Sequence, residues 1–183
     1  TLKRSKLIEF LLENIPKEKI VFNSDLIDIK DQDKLALSFR DKKNEEFDYL
    51  VAADGVCSKS KQILFKKDGL PKYFNSIALR GNISNFENFD ISLYLGPNFH
   101  FVIYPINQNK EFNFISIIRN ELIEEEISNR NLFKDNTFIN NLLKQIFSKS
   151  HLNLAEQIKE IKCFPIFVSK KVQIPESKNI FLI

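Results

Sequence analysis

The chain has 183 residues, 43% of them hydrophobic and 28% charged, a composition that excludes a disordered or fibrous polypeptide. Its 27 basic and 24 acidic residues leave a net charge of +3, too small to argue for nucleic acid, which calls for a strongly basic domain. The sequence starts at Thr1, contains no Met and ends in the apolar run Asn179-Ile180-Phe181-Leu182-Ile183, and we expect an internal piece of a longer protein.

The local Lys excess at Lys59, Lys61, Lys66, Lys67 and Lys72 reads as a solvated helix face rather than an anion-binding patch. Cys57 and Cys163 provide neither a metal site nor a disulfide framework. Reduced thiols in a cytoplasmic protein are expected. No segment reaches the roughly 18 consecutive apolar residues of a membrane span.

In chain order, Arg4 to Asn14 reads as a helix with Leu7, Ile8, Leu11 and Leu12 on one face, stopped at Ile15-Pro16. Short β-type runs follow at Lys19–Phe22 and Leu26–Ile29. In Lys34–Arg40, alternation of Leu35, Leu37 and Phe39 predicts a strand with one buried face. Phe47 to Ala53 includes the continuously apolar Tyr49-Leu50-Val51-Ala52-Ala53, which predicts a strand covered on both faces in a parallel sheet. It stops at Asp54-Gly55, and a helix is predicted from Ser58 to Phe65.

After the breaker Gly69-Leu70-Pro71, four β-type runs are predicted at Ser76–Ser84, Asp90–Leu95, Phe99–Tyr104 and Phe112–Arg119. Turns at Gly96-Pro97-Asn98 and Asn107-Gln108-Asn109 make the last three an antiparallel meander. The acidic run Glu121–Glu126 most simply opens a helix, where negative charge suits the dipole. Asp135 is a candidate N-cap for a helix carrying Ile139, Leu142, Leu143, Ile146 and Phe147. A second amphipathic stretch runs through Leu152, Ala155, Ile158 and Ile161, with His151 as a structural residue at its start. Cys163 to Val168 and Ile180–Ile183 return to β character. The order reads as an α/β domain interrupted by a second, antiparallel one.

Asp54-Gly55 ends a strand, where ligands of open α/β sheets collect. An Asp there accepts hydrogen bonds from ribose or amide groups, and the Gly admits close backbone approach. From spacing alone the plainer alternative reads better: a strand-to-helix turn in which Asp54 only caps.

The stretch Phe47-Asp48-Tyr49-Leu50-Val51-Ala52-Ala53-Asp54-Gly55-Val56-Cys57-Ser58-Lys59-Ser60-Lys61 resembles the DG motif of FAD-dependent aromatic-ring hydroxylases, the p-hydroxybenzoate hydroxylase-like flavoprotein monooxygenases. Ala52 replaces a usual Gly and Lys61 a common Arg. Arg4-Ser5-Lys6-Leu7 with Leu11 looks like the family's R-x-x-L-x-x-x-L helix start. Leu95-Gly96-Pro97-Asn98-Phe99-His100-Phe101-Val102-Ile103-Tyr104-Pro105 resembles the G-P-x-x-H-x-x-x-Y-P hairpin of the salicylate and 3-hydroxybenzoate hydroxylase branch. Phe164-Pro165 and Asn179-Ile180-Phe181-Leu182-Ile183 resemble the lead into the family's G-D-A-A-H motif.

The resemblance implies part of a Rossmann-like FAD-binding domain interleaved with an antiparallel-sheet substrate domain: α/β with an α+β insertion. The expected segments are 1–68 for the FAD-binding domain, 69–162 for the substrate domain, and 163–183 for the return. It implies an NAD(P)H-dependent hydroxylation of an aromatic or isoprenoid-quinone-type substrate with molecular oxygen, through a flavin hydroperoxide. Membrane association is expected only in the quinone-pathway branch. By position, Arg4 is expected at the FAD phosphates or flavin edge and Leu26 at a backbone contact on the adenine side. Asp54, with Gly55, is expected to serve FAD and pyridine nucleotide. His100 is the expected catalytic base, deprotonating a phenol with the side chain that titrates nearest neutrality. Each has a plainer alternative: a surface Arg, a core Leu, a capping Asp, a sheet-edge His. Arg80, in Ala78-Leu79-Arg80-Gly81, is similar to the family's R-G but reads better as solvated.

Two rival functions belong beside this one. A flavin-dependent reductase of the geranylgeranyl-reductase type shares the fold without inserting oxygen, and a binding protein retains the fold without the cofactor. The family's glycine-rich phosphate loop and G-D motif are not within these residues, so the chain by itself is expected to hold FAD poorly.

Overall fold

The computed structural model describes residues 4–83, 86, 90–106, 111–147, 152–169 and 174–183. The chain divides into two units: Ile15–Lys72 with Phe167–Ile183, and Thr1–Asn14 with Tyr73–Ile166. The expected segment boundaries fell at 68/69 and 162/163. The first helix, expected in the FAD-binding segment, groups with the second unit.

In the first unit, β1 (Leu26–Asp31), β2 (Leu35–Phe39) and β3 (Glu45–Phe47) form an antiparallel sheet in that order. Leu35 and Leu37 are buried, as their alternation requires. The run Lys19–Phe22 is not a strand. A 3₁₀ turn occupies Lys17–Lys19, and Val21 and Phe22 stand exposed with no ladder partner.

Strand β4 (Leu50–Ala52) pairs in parallel with Ile180–Leu182, the last strand of the chain, Leu50 opposite Ile180 and Ala52 opposite Leu182. The expected cover on both faces is corrected: Ala52 is buried, but Tyr49, Val51 and Phe181 are exposed. Beyond β4 the chain turns into α2 (Lys59–Phe65).

The second unit begins with α1 (Arg4–Glu13), which buries none of its residues. Leu7, Ile8, Leu11 and Leu12 are each more than 40% exposed. The unit's centre is a five-stranded sheet built from β5 (Lys72–Ile83), β6 (Ser92–Leu95), β7 (Phe99–Ile106), β8 (Glu111–Arg119) and β9 (Ile158–Val168), ordered β6-β7-β8-β5-β9. Strands β6, β7 and β8 form the antiparallel meander, and β5 pairs antiparallel with β8. The Gly96–Asn98 turn closes with Gly96 N–H donating to Phe99 C=O at 2.9 Å. The second expected turn, Asn107–Asn109, and His151 lie outside the described residues.

One face of this sheet is packed. Phe101, Ile103, Phe112, Phe114, Ile118, Ile77, Leu79 and Ile83 join Phe133 and the apolar stripe of α4 (Asn136–Ile146) in one core. Asp135 caps α4 by accepting from Phe138 N–H at 2.8 Å, and the buried Ile139, Leu142, Leu143 and Ile146 keep the helical period. The acidic run opens α3 (Glu124–Ser128), with the Glu126 carboxylate accepting from Ile123 N–H at 3.0 Å.

The second amphipathic stretch is corrected. Helix α5 (Leu152–Gln157) ends at Gln157, and Ile158, buried, already belongs to β9. Gly81 explains how β9 comes so close to β5: a Cβ there would lie 2.5 Å from Ile158 Cγ2 and 3.0 Å from the Lys159 carbonyl. No helix among the described residues is long and apolar enough to cross a membrane.

Candidate functional site

Two places carry the expected site residues. They belong to different units and are described separately.

The first is the β4–α2 turn. Gly55 adopts φ +76, a backbone state that suits Gly, and nothing lies within 4 Å of where a Cβ would stand. Two caps hold the helix start: Ser58 Oγ accepts from Lys61 N–H at 2.9 Å, and Asp54 Oδ2 accepts from Ser60 N–H at 2.9 Å. Partial burial pushes the Asp54 carboxyl up. Hydrogen bonds from the Ser58 hydroxyl and from the Ser60 backbone and hydroxyl outweigh it, leaving Asp54 below the usual carboxylate value. The turn therefore presents an ionised, exposed acceptor beside an open stretch of backbone. Capping and ligand binding are compatible, since a carboxylate has about four lone-pair sites. Leu26, half-buried opposite Phe39 at the start of β1, lies in the same unit.

The second is the face of the five-stranded sheet opposite its core. Register puts Leu95, His100, Ile117 and Ala78 in one cross-strand row, with Arg119 opposite Ser76 one step further on. His100 is exposed, while Phe101 and Ile103, on the other face, are buried. Its carbonyl accepts from Ser116 Oγ at 3.0 Å, which satisfies a fully buried hydroxyl. Further along the same face, the Asn113 amide donates to the Tyr104 hydroxyl at 2.6 Å. Arg80 is exposed there, as its solvated reading requires. Arg4 opens α1 on the surface of this unit.

His100 lines a cavity of about 290 Å³ with Arg119, Ser76, Phe74, Ile117 and the Gly96–Asn98 turn. Sequence reading missed Arg119 and Ser76. Alternation puts Arg119 on the same face of β8 as Ile117, but only the strand register sets Ile117 opposite His100. A second cavity of about 600 Å³ lies on the core side of the sheet edge, between the aromatic rings of Tyr94, Phe99 and Phe101 and the end of α4, with Lys144 on its wall. Among the described residues, no group of three His, Cys, Asp or Glu side chains converges as a metal site would require.

No family model matches the chain. Over 127 residues it is 29% identical to an FAD-dependent monooxygenase of Gibberella moniliformis, a match covering 62% of this chain and 29% of that protein. The chain is similar to FAD-dependent monooxygenases. Among solved structures, Klebsiella pneumoniae HpxO complexed with FAD and uric acid superposes with TM-score 0.74 at 13% identity, covering 100% of this chain and 47% of that one. A salicylate hydroxylase substrate complex gives TM-score 0.74 at 16% identity, covering 98% and 49%. The monooxygenase-like chain thus shares their mixed α/β and antiparallel fold, and spans about half the length of those two structures.

Proposed function

We propose that the protein carrying this chain is an FAD-dependent monooxygenase that hydroxylates an aromatic substrate, with NAD(P)H as reductant and molecular oxygen as co-substrate. The observation that carries the reading is the similarity to FAD-dependent monooxygenases over 62% of the chain. The parallel pairing of β4 with the final strand supports the interleaved arrangement, with the antiparallel unit inserted into an FAD-binding domain.

The residues present fit FAD at the β4–α2 turn. The ionised Asp54 accepts hydrogen bonds from hydroxyl or amide donors, and the open backbone at Gly55 allows close approach. Leu26, in the same unit, would give a main-chain contact on the adenine side; for Arg4, which belongs to the other unit, the forked guanidinium donor to phosphate or flavin oxygens rests on the sequence resemblance alone. When bound, FAD supplies the electron transfer from NAD(P)H and the oxygen activation that ring hydroxylation needs. His100, on the open face of the sheet, takes the proton of a substrate phenol at its imidazole, raising the electron density of the ring. Apolar side chains of that face, Leu93, Val102 and Ile115, line the same side and exclude water from the ring.

The test is to isolate the protein carrying this sequence, record its flavin absorbance, and follow oxygen consumption against hydroxylated product. Bound flavin with product formed in step with oxygen is expected. A colourless protein overturns the reading, and flavin reduction without oxygen insertion replaces it with the reductase.

A further inference from the structure

We infer that the cavity between the edge of the five-stranded sheet and the end of α4 is a second ligand site, which takes a planar, fused-ring compound carrying one negative charge. The inference goes beyond the proposed function and does not rest on it: the cavity lies on the core side of the sheet, and neither His100 nor Arg119 lines it.

The wall is aromatic and flat. Register sets Tyr94 opposite Phe101 across β6 and β7, and alternation puts Phe99 on the same face two residues along. The rings follow that geometry. Tyr94 stacks on Phe101 with 4.3 Å between centroids and 13° between planes, and Phe99 stands 6.3 Å from Phe101 at 15°. Phe101 is buried beneath them, whereas Tyr94 and Phe99 are half-buried. Near-parallel π-faces favour a flat ligand that stacks with an offset. A volume of about 600 Å³, against about 290 Å³ for the His100 cavity, lies well inside the range of small-molecule sites and suits a fused system rather than one ring.

Charge selects among flat ligands. Among the described residues, Lys144 is the one charged group lining this cavity, with the Gln145 amide beside it and no Asp or Glu. Lys144 belongs to the last turn of α4, and its full positive charge outweighs the partial negative charge of that helix end. Because Lys144 is exposed, the anionic group of the ligand stays at the solvent edge and only the rings are desolvated.

The wall is also held in place. A Cβ at Gly96 would lie 2.4 Å from the Phe99 ring, so the ring rests directly on the Gly96 backbone. The bond from Gly96 N–H to the Phe99 carbonyl, 2.9 Å, closes the same turn. Little ordering of the aromatic wall therefore remains on binding.

The experiment is a calorimetric titration of the full chain at pH 7 with naphthalene-2-sulfonate, and with naphthalene-2-sulfonamide as its neutral analogue. Saturable binding of the sulfonate is expected, with the sulfonamide about fivefold weaker or more. Lys144→Gln should weaken the sulfonate about fivefold, and Gln145→Glu, which sets a carboxylate in the lining, at least as much. Tyr94→Leu, which keeps an apolar wall but removes a ring face, should weaken it about threefold or more. Lys134→Gln removes the same charge from an exposed residue outside the cavity and should change nothing. Far-UV circular dichroism checks that each variant is folded. Absent sulfonate binding, equal affinity for the sulfonamide, or no more weakening by Lys144→Gln than by Lys134→Gln overturns the inference. So does an Arg119→Gln variant that weakens the sulfonate as much as Lys144→Gln, since that places the probe in the His100 cavity.

Discussion

The Tyr73 hydroxyl donates a 2.7 Å hydrogen bond to the main-chain carbonyl of Asn120, joining the first turns of β5 to the residue just past β8. The bond clamps the end of the sheet at which Ser76 and Arg119 face each other. Burial raises the Tyr73 phenol, helped by the nearby Cys163 and Glu126, from 10.0 to about 12.

The clamp gives the first prediction. A folded-state value above the unfolded one means that the contribution is fully present below about pH 10 and is lost as pH rises towards about 12. Stability should fall across that window, and Tyr73→Phe should flatten the fall. At neutral pH the same substitution strands the Asn120 carbonyl and should cost about 1–3 kcal/mol. Urea unfolding at pH 7 and 11 measures both effects.

Asp54 carries the opposite sign. Its depressed value places its stabilisation above the ordinary carboxylate range, with loss as pH falls through the folded value. Because the group is exposed, Asp54→Ala should cost no more than about 1 kcal/mol at pH 7, and less as the pH falls through the folded value. In the protein carrying this chain, the variant should lose flavin affinity by more than that stability loss explains. An unchanged flavin content would leave Asp54 as a cap only.

Gly81→Ala forces a methyl group against Ile158 Cγ2 and the Lys159 carbonyl. The expected loss is about 1–3 kcal/mol. Ile158→Val in the same chain should recover little of it, since the carbonyl does not move with the side chain. Denaturant midpoints for the single and double variants form the test.

Asp135→Ala removes the cap from α4 and should cost about 1 kcal/mol. The orphaned group is the Phe138 N–H, so Asp135→Asn or Asp135→Ser should restore most of the loss. Thermal unfolding followed at the far-UV helix signal reads it out.

The two thiols should react very differently. Cys57 is exposed, whereas Cys163 is buried and pushed up to about 12 by that burial. A thiol-specific chromogenic reagent should label one cysteine in the native protein and the second only after denaturation. Prompt labelling of both would place Cys163 in solvent.

Much of this was legible because it is local. The period of Ile139, Leu142, Leu143 and Ile146, the alternation of Leu35 and Leu37, and the capping chemistry of Asp135 act within a few residues. So does the alternation that puts His100 opposite the core face. Ile158 misled because Leu152, Ala155, Ile158 and Ile161 recur at intervals a helix also satisfies. What decides the matter is Gly81, far away in sequence, which admits Ile158 as a strand neighbour. Lys19–Phe22 has strand-forming residues but no partner, and propensity does not supply one. Arg119 was invisible as a site residue because its relation to His100 exists only through the β7–β8 register. The exposed stripe on α1 shows the same limit: periodicity identifies an apolar face without identifying what covers it.

The pairing of Leu50 with Ile180 has a consequence for how the protein is made. Nearly all of the antiparallel unit is translated between the two strands. At roughly 5–20 residues per second, β4 waits on the order of ten seconds on the ribosome before its partner emerges. Throughout that interval Val51 and Tyr49 lack Phe181, their strand and ring partner, and the Ala52 carbonyl lacks the Ile183 N–H that finally donates to it at 3.0 Å. The order of synthesis thus joins this parallel pair only after the intervening residues, and a chaperone that shields β4 meanwhile would raise the yield of correctly joined strands.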